Sequence, residues 1–91
     1  MSTFANKVVW ITGASSGIGE ALAQAFAQQG SKLILSSRRK EELELVKTQL
    51  KLSDEQVLIL PIDLADTSKA NEYTQQVISK FGRIDILINN G

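Results

Sequence analysis

The sequence contains neither cysteine nor histidine. Disulfides, thiolate nucleophiles, imidazole bases and zinc sites made of these side chains are therefore excluded within the 91 residues, and no metal site is predicted. No apolar run approaches the roughly 20 residues of a membrane span, and no apolar signal segment is visible, so a cytoplasmic location is expected. Ten basic side chains balance ten acidic ones, which gives no sign of a nucleic-acid partner.

Four short apolar runs stand out from this background, at residues 8–11, 33–35, 57–60 and 86–88. Each run is continuous, whereas a strand with one wet face would alternate between apolar and polar side chains. Continuous runs of this length are typical of strands that are buried on both faces, as in a parallel sheet covered by helices.

Three segments with helical periodicity separate these runs. The second covers residues 40–52 and the third 68–81, and Gly30 and Gly82 follow the first and third as helix-ending residues. The order β-α-β-α-β-α-β predicts an α/β fold with a Rossmann-type doubly wound parallel sheet in the strand order 3-2-1-4. The first segment has one apolar helix face, made of Ile18, Ala21, Leu22, Ala25 and Phe26.

Three glycines, Gly13, Gly17 and Gly19, lie between the first strand and the first helix. In a parallel sheet this turn lies at the carboxyl edge, and the helix N-terminus beyond it attracts phosphate. Gly13 is expected to allow the tight turn, Gly17 the approach of a pyrophosphate, and Gly19 close packing of helix on strand. The spacing G-x-x-x-G-x-G is neither the common G-x-G-x-x-G pattern nor a P-loop, and the alternative is a tight turn without a ligand.

The stretch TGASSGIG after a buried strand resembles the cofactor motif of the classical short-chain dehydrogenases/reductases. The resemblance covers essentially the whole chain. In that family SSRR matches the loop after the second strand, PIDLAD the end of the third strand, and RIDILINNG the fourth strand and its following turn. One departure is Asn89-Asn90-Gly91, where the family usually has alanine after the second asparagine. The resemblance implies a nicotinamide dinucleotide cofactor and hydride exchange with an alcohol or carbonyl substrate.

The loop after the second strand bears on which cofactor is used. By the resemblance, Ser37 occupies the position where NAD-selecting members carry an acidic residue, and Arg38 follows it. A carboxylate would repel a 2′-phosphate, whereas serine donates to it and arginine binds it bidentately. One hydrogen bond to a charged group contributes about 1.5–3 kcal/mol, or roughly 10- to 150-fold in affinity. NADP(H) is therefore the expected cofactor and NAD(H) the alternative, while Arg39 and Lys40 are expected to face solvent.

The resemblance places further residues at the cofactor. Asp63 and Leu64 are expected to contact the adenine, although Asp63 can instead cap a turn. Asn90 matches a residue near the adenine ribose, and its alternative role is to brace the sheet. The cofactor-binding residues expected from the resemblance are Gly13, Ser15, Ser16, Gly17, Ile18, Gly19, Ser37, Arg38, Asp63, Leu64 and Asn90.

The family's catalytic set is a tyrosine with a lysine four residues later, together with a serine and an asparagine. The one tyrosine here is Tyr73, and Val77 stands four residues on, so no residue is assigned a catalytic role.

Residues 1–91 are therefore expected to be the N-terminal portion of one NAD(P)-binding domain, within a longer enzyme that takes a small-molecule substrate and forms a homo-oligomer. One alternative is a non-catalytic nucleotide-binding module or truncated product. Another is an isomerase or dehydratase of the extended branch, which the glycine spacing disfavours.

Overall fold

A computed structural model describes residues 4–63 and 65–90 of the chain. Strands and helices alternate, and a short 3₁₀ turn at Thr67–Lys69 precedes the third helix. The four strands form one parallel sheet in the order β3-β2-β1-β4, which confirms the predicted doubly wound topology. The elements are β1 (Val8–Thr12), α1 (Gly17–Gln28), β2 (Lys32–Ser36), α2 (Lys40–Gln49), β3 (Val57–Ile59), α3 (Ala70–Phe81) and β4 (Ile86–Asn89).

The helices cover the two faces of the sheet unequally. On one face, α1 and α2 pack over β1 and β2, where Ile11, Leu33 and Leu35 are fully buried. On the other face, α3 packs alone, with Val77 fully buried in a cluster that includes Trp10. The crossovers therefore leave the carboxyl ends of all four strands at one edge, followed by short loops. No helix of the described residues is long and apolar enough to cross a bilayer.

The apolar face predicted for α1 is correct at Leu22 and Phe26 and wrong at Ile18, Ala21 and Ala25. Ile18 is 70% exposed, whereas Gly19 and Ala23 are buried, and Leu22 and Phe26 pack partly against the same core. The smallest side chains face the sheet because Gly19 lies in van der Waals contact with the turn after β1, which leaves no room for a larger residue there. The helix is therefore rotated so that Ile18, Ala21 and Ala25 face outward.

The prediction that β4 is buried on both faces is also wrong. Ile86 and Ile88 pack partly against the cluster on the α1 side, but Leu87 between them is 60% exposed. This alternation arises because β4 lies at the edge of the sheet and α3 packs over the neighbouring strands instead. An apolar groove of about 320 Å³ remains between α3 and β4, lined in part by Trp10 and Tyr73.

Two polar contacts fix the opposite, amino edge of the sheet. The Lys80 ammonium donates to the carbonyl oxygens of Asp54 (2.5 Å) and Val57 (3.0 Å), which ties α3 to the loop before β3. The Asp85 carboxylate accepts from the Val8 amide at 2.8 Å and from Arg83 Nε at 2.9 Å. The Val8 hydrogen bond, followed by the Arg83 contact, lowers the pKa of Asp85 below its ordinary value.

Candidate dinucleotide-binding site

A cleft of about 600 Å³ opens at the carboxyl edge of the sheet, where the segments after β1, β2 and β3 meet. Five of the expected cofactor-binding residues line it, although they are spread over 50 positions of the chain, from 13 to 63. They are Gly13, Ser15, Ser37, Arg38 and Asp63. The fold thus brings the first three sequence motifs together at one opening.

The three glycines of the loop after β1 differ in what a side chain would meet. Gly13 has a φ of +63°, and a Cβ there would lie 1.7 Å from the carbonyl oxygen of Asn90. A Cβ on Gly19 would lie 2.1 Å from the carbonyl oxygen of Gly13 and 2.8 Å from the Cα of Ala14. Gly17 has no described atom within 4 Å of such a Cβ. Packing therefore requires Gly13 and Gly19, while the space beside Gly17 is open to a ligand.

Ser16 is the N-cap of α1. Its hydroxyl accepts from the Gly19 amide at 3.1 Å and from Asn90 Nδ2 at 2.9 Å, and it donates to the carbonyl oxygen of Gly13 at 2.9 Å. These contacts use the hydroxyl hydrogen and both lone pairs. Contact between Ser16 and a ribose or phosphate stays a prediction, and it would require one of these bonds to be exchanged. Ser15, by contrast, lines the cleft.

The residues that follow β4 brace the glycine loop from behind. The Thr12 hydroxyl accepts from the Asn90 amide at 3.1 Å and lies 2.9 Å from Asn89 Oδ1, to which it can donate. Asn90 Nδ2 also lies 3.3 Å from the carbonyl oxygen of Gly13. Asn90 therefore holds the loop against the end of β4, and its expected contact with a ribose stays a prediction.

The loop after β2 contributes the basic side chains of the cleft. Within residues 4–63 and 65–90, the Arg38 guanidinium makes no hydrogen bond or ion pair, and it is exposed. Arg39 also lines the cleft, and its guanidinium lies 3.9 Å from the carboxylate of Glu42. The Ser37 hydroxyl interacts only weakly, at 3.3 Å, with the main chain of Arg39. Two cations and the Ser37 hydroxyl are thus available to an anion at this end of the cleft.

Sequence reasoning missed six of the residues that line the cleft. The Trp10 indole donates to the buried Ser36 hydroxyl at 2.8 Å, which fixes the end of β2, and no sequence pattern signalled this pair. Glu42 could have been found, because it lies one helical turn after Arg39 at the start of α2. The six are Thr12, Ser36, Arg39, Glu42, Ile62 and Ala65.

Three further residues were expected at the cofactor: Asp63, Leu64 and Ile18. Asp63 lines the cleft, and one of its carboxylate oxygens accepts from the Ala65 amide at 2.9 Å, so it also caps the turn there. Its contact with an adenine stays a prediction. Leu64 lies outside the described residues. Ile18 stands exposed on the first turn of α1 and is not part of the cleft wall.

Tyr73 does not reach the cleft. It lies on α3, partly buried beside Trp10, and it lines the apolar groove next to β4. Val77, four residues on, is fully buried. Across the part of the chain that the structure describes, no group of three or more carboxylates is placed to hold a metal ion.

The loop after β1 and the adjoining cleft have features that suit a dinucleotide. The first turn of α1 leaves amide hydrogens without intrahelical partners and places a partial positive charge beside the open space at Gly17. A pyrophosphate fits such a site, because it carries the negative charge and the acceptors that the helix end lacks. Ser37 and Arg38 line the neighbouring cleft, whose wall also includes Gly13 and Ser15 of the loop that leads to α1, and the ribose of an adenosine would lie there.

Comparison with known proteins agrees with this geometry. The sequence model of a family described as short chain dehydrogenase matches residues 7–91. The mouse protein named dehydrogenase/reductase SDR family member 7 is 51% identical over 90 residues, which cover 94% of this chain and 27% of that protein. The chain therefore spans little more than a quarter of the length of that relative.

Two solved structures resemble the fold closely. A metagenomic short-chain oxidoreductase in complex with NADP has a TM-score of 0.88 and 29% identity, and the match covers 99% of this chain and 41% of that one. A 3-ketoacyl-(acyl-carrier-protein) reductase from Brucella melitensis, complexed with NADH, has a TM-score of 0.83 and 34% identity. That match covers 93% of this chain and 34% of the reductase.

Proposed function

We propose a function from one premise: the chain belongs to the short-chain dehydrogenase family. Residues 1–91 form the N-terminal portion of a single NAD(P)-binding Rossmann domain. The whole protein is an NADP(H)-dependent oxidoreductase that acts on an alcohol or carbonyl substrate. The bound nicotinamide dinucleotide supplies or accepts the hydride. The cytoplasmic location and the homo-oligomer expected of the whole protein stay predictions.

The residues of this chain bind and orient the cofactor. The backbone contact between Gly19 and Gly13 holds the N-terminus of α1 close to the end of β1. Of the first-turn amides, that of Gly19 donates to the Ser16 hydroxyl, so those of Gly17 and Ile18 are the ones that bind the pyrophosphate beside Gly17. Ser16 and Asn90 keep this loop in place through the hydrogen bond between them and through their contacts with the carbonyl oxygen of Gly13. Binding energy from the adenosine end thus positions the nicotinamide for hydride transfer.

The proposed preference for NADP(H) rests on one observation in the loop after β2. Ser37 stands where an acidic residue would reject a 2′-phosphate, and the neighbouring Arg38 guanidinium lines the cleft without a partner among the described residues. A guanidinium that is not already paired loses no ion pair when it binds phosphate. The two structural neighbours hold NADP in one case and NADH in the other, so the preference of this chain depends on its own residues.

The test is the variant Arg38→Ala in the whole protein, with binding of NADPH and NADH measured by calorimetry at one fixed salt concentration. The dissociation constant for NADPH should rise roughly 10- to 150-fold, since a charge-assisted hydrogen bond contributes about 1.5–3 kcal/mol. The dissociation constant for NADH should change little. Lys40→Ala is the matched control, because it removes a neighbouring cation that does not line the cleft. Equal weakening of both cofactors by Arg38→Ala would contradict the assignment.

The second candidate is a nucleotide-binding module without catalysis. Tyr73 favours it, because the one tyrosine of the chain lies in the apolar groove and has buried Val77 where the family places its lysine. The intact mass of the natural protein separates the two candidates. A mass at least twice 10.0 kDa supports the oxidoreductase and directs the search to a Tyr-x-x-x-Lys segment beyond these residues. A mass near 10.0 kDa supports the binding module.

A further inference from the structure

The α2 side of the cleft contains one acidic side chain among its basic ones. Arg38, Arg39 and Glu42 all line the cleft there, and Asp63 belongs to the opposite wall, after β3. Glu42 lies in the first turn of α2, one turn beyond Arg39. The local charge that faces an incoming anion is therefore one positive charge rather than two.

The Arg39–Glu42 ion pair is weak enough to be exchanged. The guanidinium and carboxylate are 3.9 Å apart, and their side chains are 78% and 48% exposed. Exposed pairs of this kind contribute at most about 1 kcal/mol. A phosphate carries more charge than a carboxylate and accepts two parallel hydrogen bonds from a guanidinium, so it is the stronger partner. Arg39 can therefore exchange Glu42 for a phosphate at small cost.

We infer that Glu42 is a specificity-determining residue that weakens recognition of a 2′-phosphate, because its carboxylate competes with the phosphate for Arg39 and repels it. The role given to Glu42 rests on the proposed function, since it assumes that an adenosine with a 2′-phosphate occupies the cleft. Arg38 is then the main phosphate ligand, and Arg39 is a second cation whose availability Glu42 controls. Glu42 contributes nothing to the recognition of a nucleotide that lacks the 2′-phosphate.

The position of Glu42 at a helix N-terminus explains why a carboxylate is stable there. The partial positive charge at the start of α2 favours an anion, whether this is the glutamate or a phosphate. Glu41 shares the same turn and the same charge but is not part of the cleft wall. The two glutamates therefore form a natural pair for comparison, since both stabilise the helix and only one faces the cleft.

The experiment measures binding of 2′,5′-ADP and 5′-AMP to the whole protein by calorimetry, for the wild type and for the variants Glu42→Gln and Glu41→Gln. Circular dichroism first establishes that each variant has the helix content of the wild type. Glu42→Gln should bind 2′,5′-ADP about two- to fivefold more tightly, because breaking an exposed ion pair costs a free energy of that size. Binding of 5′-AMP should stay unchanged, and Glu41→Gln should match the wild type for both nucleotides.

Salt and a double variant identify the cause of the gain. Between about 20 mM and 200 mM salt the gain of Glu42→Gln should shrink, because the Debye length falls to less than 10 Å. Adding Arg39→Ala to Glu42→Gln should remove the larger part of the gain in affinity for 2′,5′-ADP, because the gain requires that the Arg39 guanidinium, freed from Glu42, binds the phosphate.

The possible results separate the two proposals. Equal gains for Glu42→Gln and Glu41→Gln would reflect overall charge alone and would overturn the role of Glu42, as would weaker or unchanged binding of 2′,5′-ADP by Glu42→Gln. In each of these cases the wild type still binds both nucleotides, and the proposed function stands. If the wild type binds neither nucleotide, the proposed function fails, and the role of Glu42 fails with it.

Discussion

Gly17 offers a substitution that separates the ligand from the fold. A Cβ at this position meets no described atom within 4 Å, and the residue opens α1 with ordinary helical geometry. Gly17→Ala should therefore stabilise the chain by about 0.4–1 kcal/mol, because alanine loses less conformational freedom on folding than glycine. For a domain of this size, that raises the melting temperature by about 2–8 °C.

The same methyl group should weaken cofactor binding. If a pyrophosphate approaches the backbone at Gly17, the added carbon occupies the space that a phosphate oxygen needs, and steric overpacking costs about 1–3 kcal/mol. The dissociation constant for NADPH should rise roughly 5- to 150-fold for Gly17→Ala. Gly17→Val adds two further carbons at the same place and should abolish measurable binding.

Gly19→Ala is the matched comparison within the same loop. Its Cβ would lie 2.1 Å from the carbonyl oxygen of Gly13 and 2.8 Å from the Cα of Ala14, and neither backbone atom can move without displacing β1 or its turn. This variant should lose about 3 kcal/mol or more. Its melting temperature should then fall by at least about 12 °C.

Thermal unfolding followed by circular dichroism and calorimetric titration with NADPH together measure both quantities. The reasoning requires stability and binding to change in opposite directions for Gly17→Ala. Tight NADPH binding by both Gly17 variants would show that no phosphate approaches this position. A melting temperature that falls as far as that of Gly19→Ala would show that Gly17 is needed for packing.

Two further predictions concern the amino edge of the sheet. Because the Val8 amide lowers the pKa of Asp85, the carboxylate contributes stability that is present above about pH 4 and is lost as the pH falls through the lowered pKa. The melting temperature of Asp85→Asn should therefore change less between pH 5 and pH 2 than that of the wild type, and identical pH profiles would contradict this. Lys80→Met removes the hydrogen bonds to the carbonyl oxygens of Asp54 and Val57 and should lower the free energy of unfolding, measured in urea, by about 1–2 kcal/mol. The Lys40 side chain is exposed and makes no hydrogen bond or ion pair with the described residues, so Lys40→Met should cost nothing, and equal losses would mean that the Lys80 contacts are immaterial.

The sequence alone predicted the fold well because the fold depends on a few strong patterns. The apolar runs of β1 and β2 are buried on both faces, as expected of central parallel strands. The sequence did not predict how α1 is rotated about its axis. Ile18 and Gly19 are adjacent, and a prediction based on hydrophobicity alone places the larger residue, Ile18, against the sheet. Close packing requires glycine instead, since a Cβ at this position would lie 2.1 Å from the carbonyl oxygen of Gly13.

The sequence predicted which residues lie at the cleft where a single motif places them after a strand. It did not predict the hydrogen bonds that these residues make with distant parts of the chain. Gly13 and Arg38 follow strands directly, so the topology alone places them at the cleft. Ser16 was expected to face a ligand, but its hydroxyl is engaged by groups as distant as Asn90. No local pattern reveals a hydrogen bond that spans 74 positions of the chain.

The brace between Asn90 and the glycine loop also has a kinetic consequence. Its hydrogen bonds join residues 74 to 78 positions apart, which are among the longest loop closures that a chain of 91 residues can make. Contacts of such high sequence separation form late, because the entropy of closing the loop must be overcome before they contribute. A folding intermediate with β1, β2 and β3 paired would thus have its adenosine wall in place but an unbraced phosphate loop. Nucleotide binding during refolding should therefore appear only in the phase in which β4 joins β1.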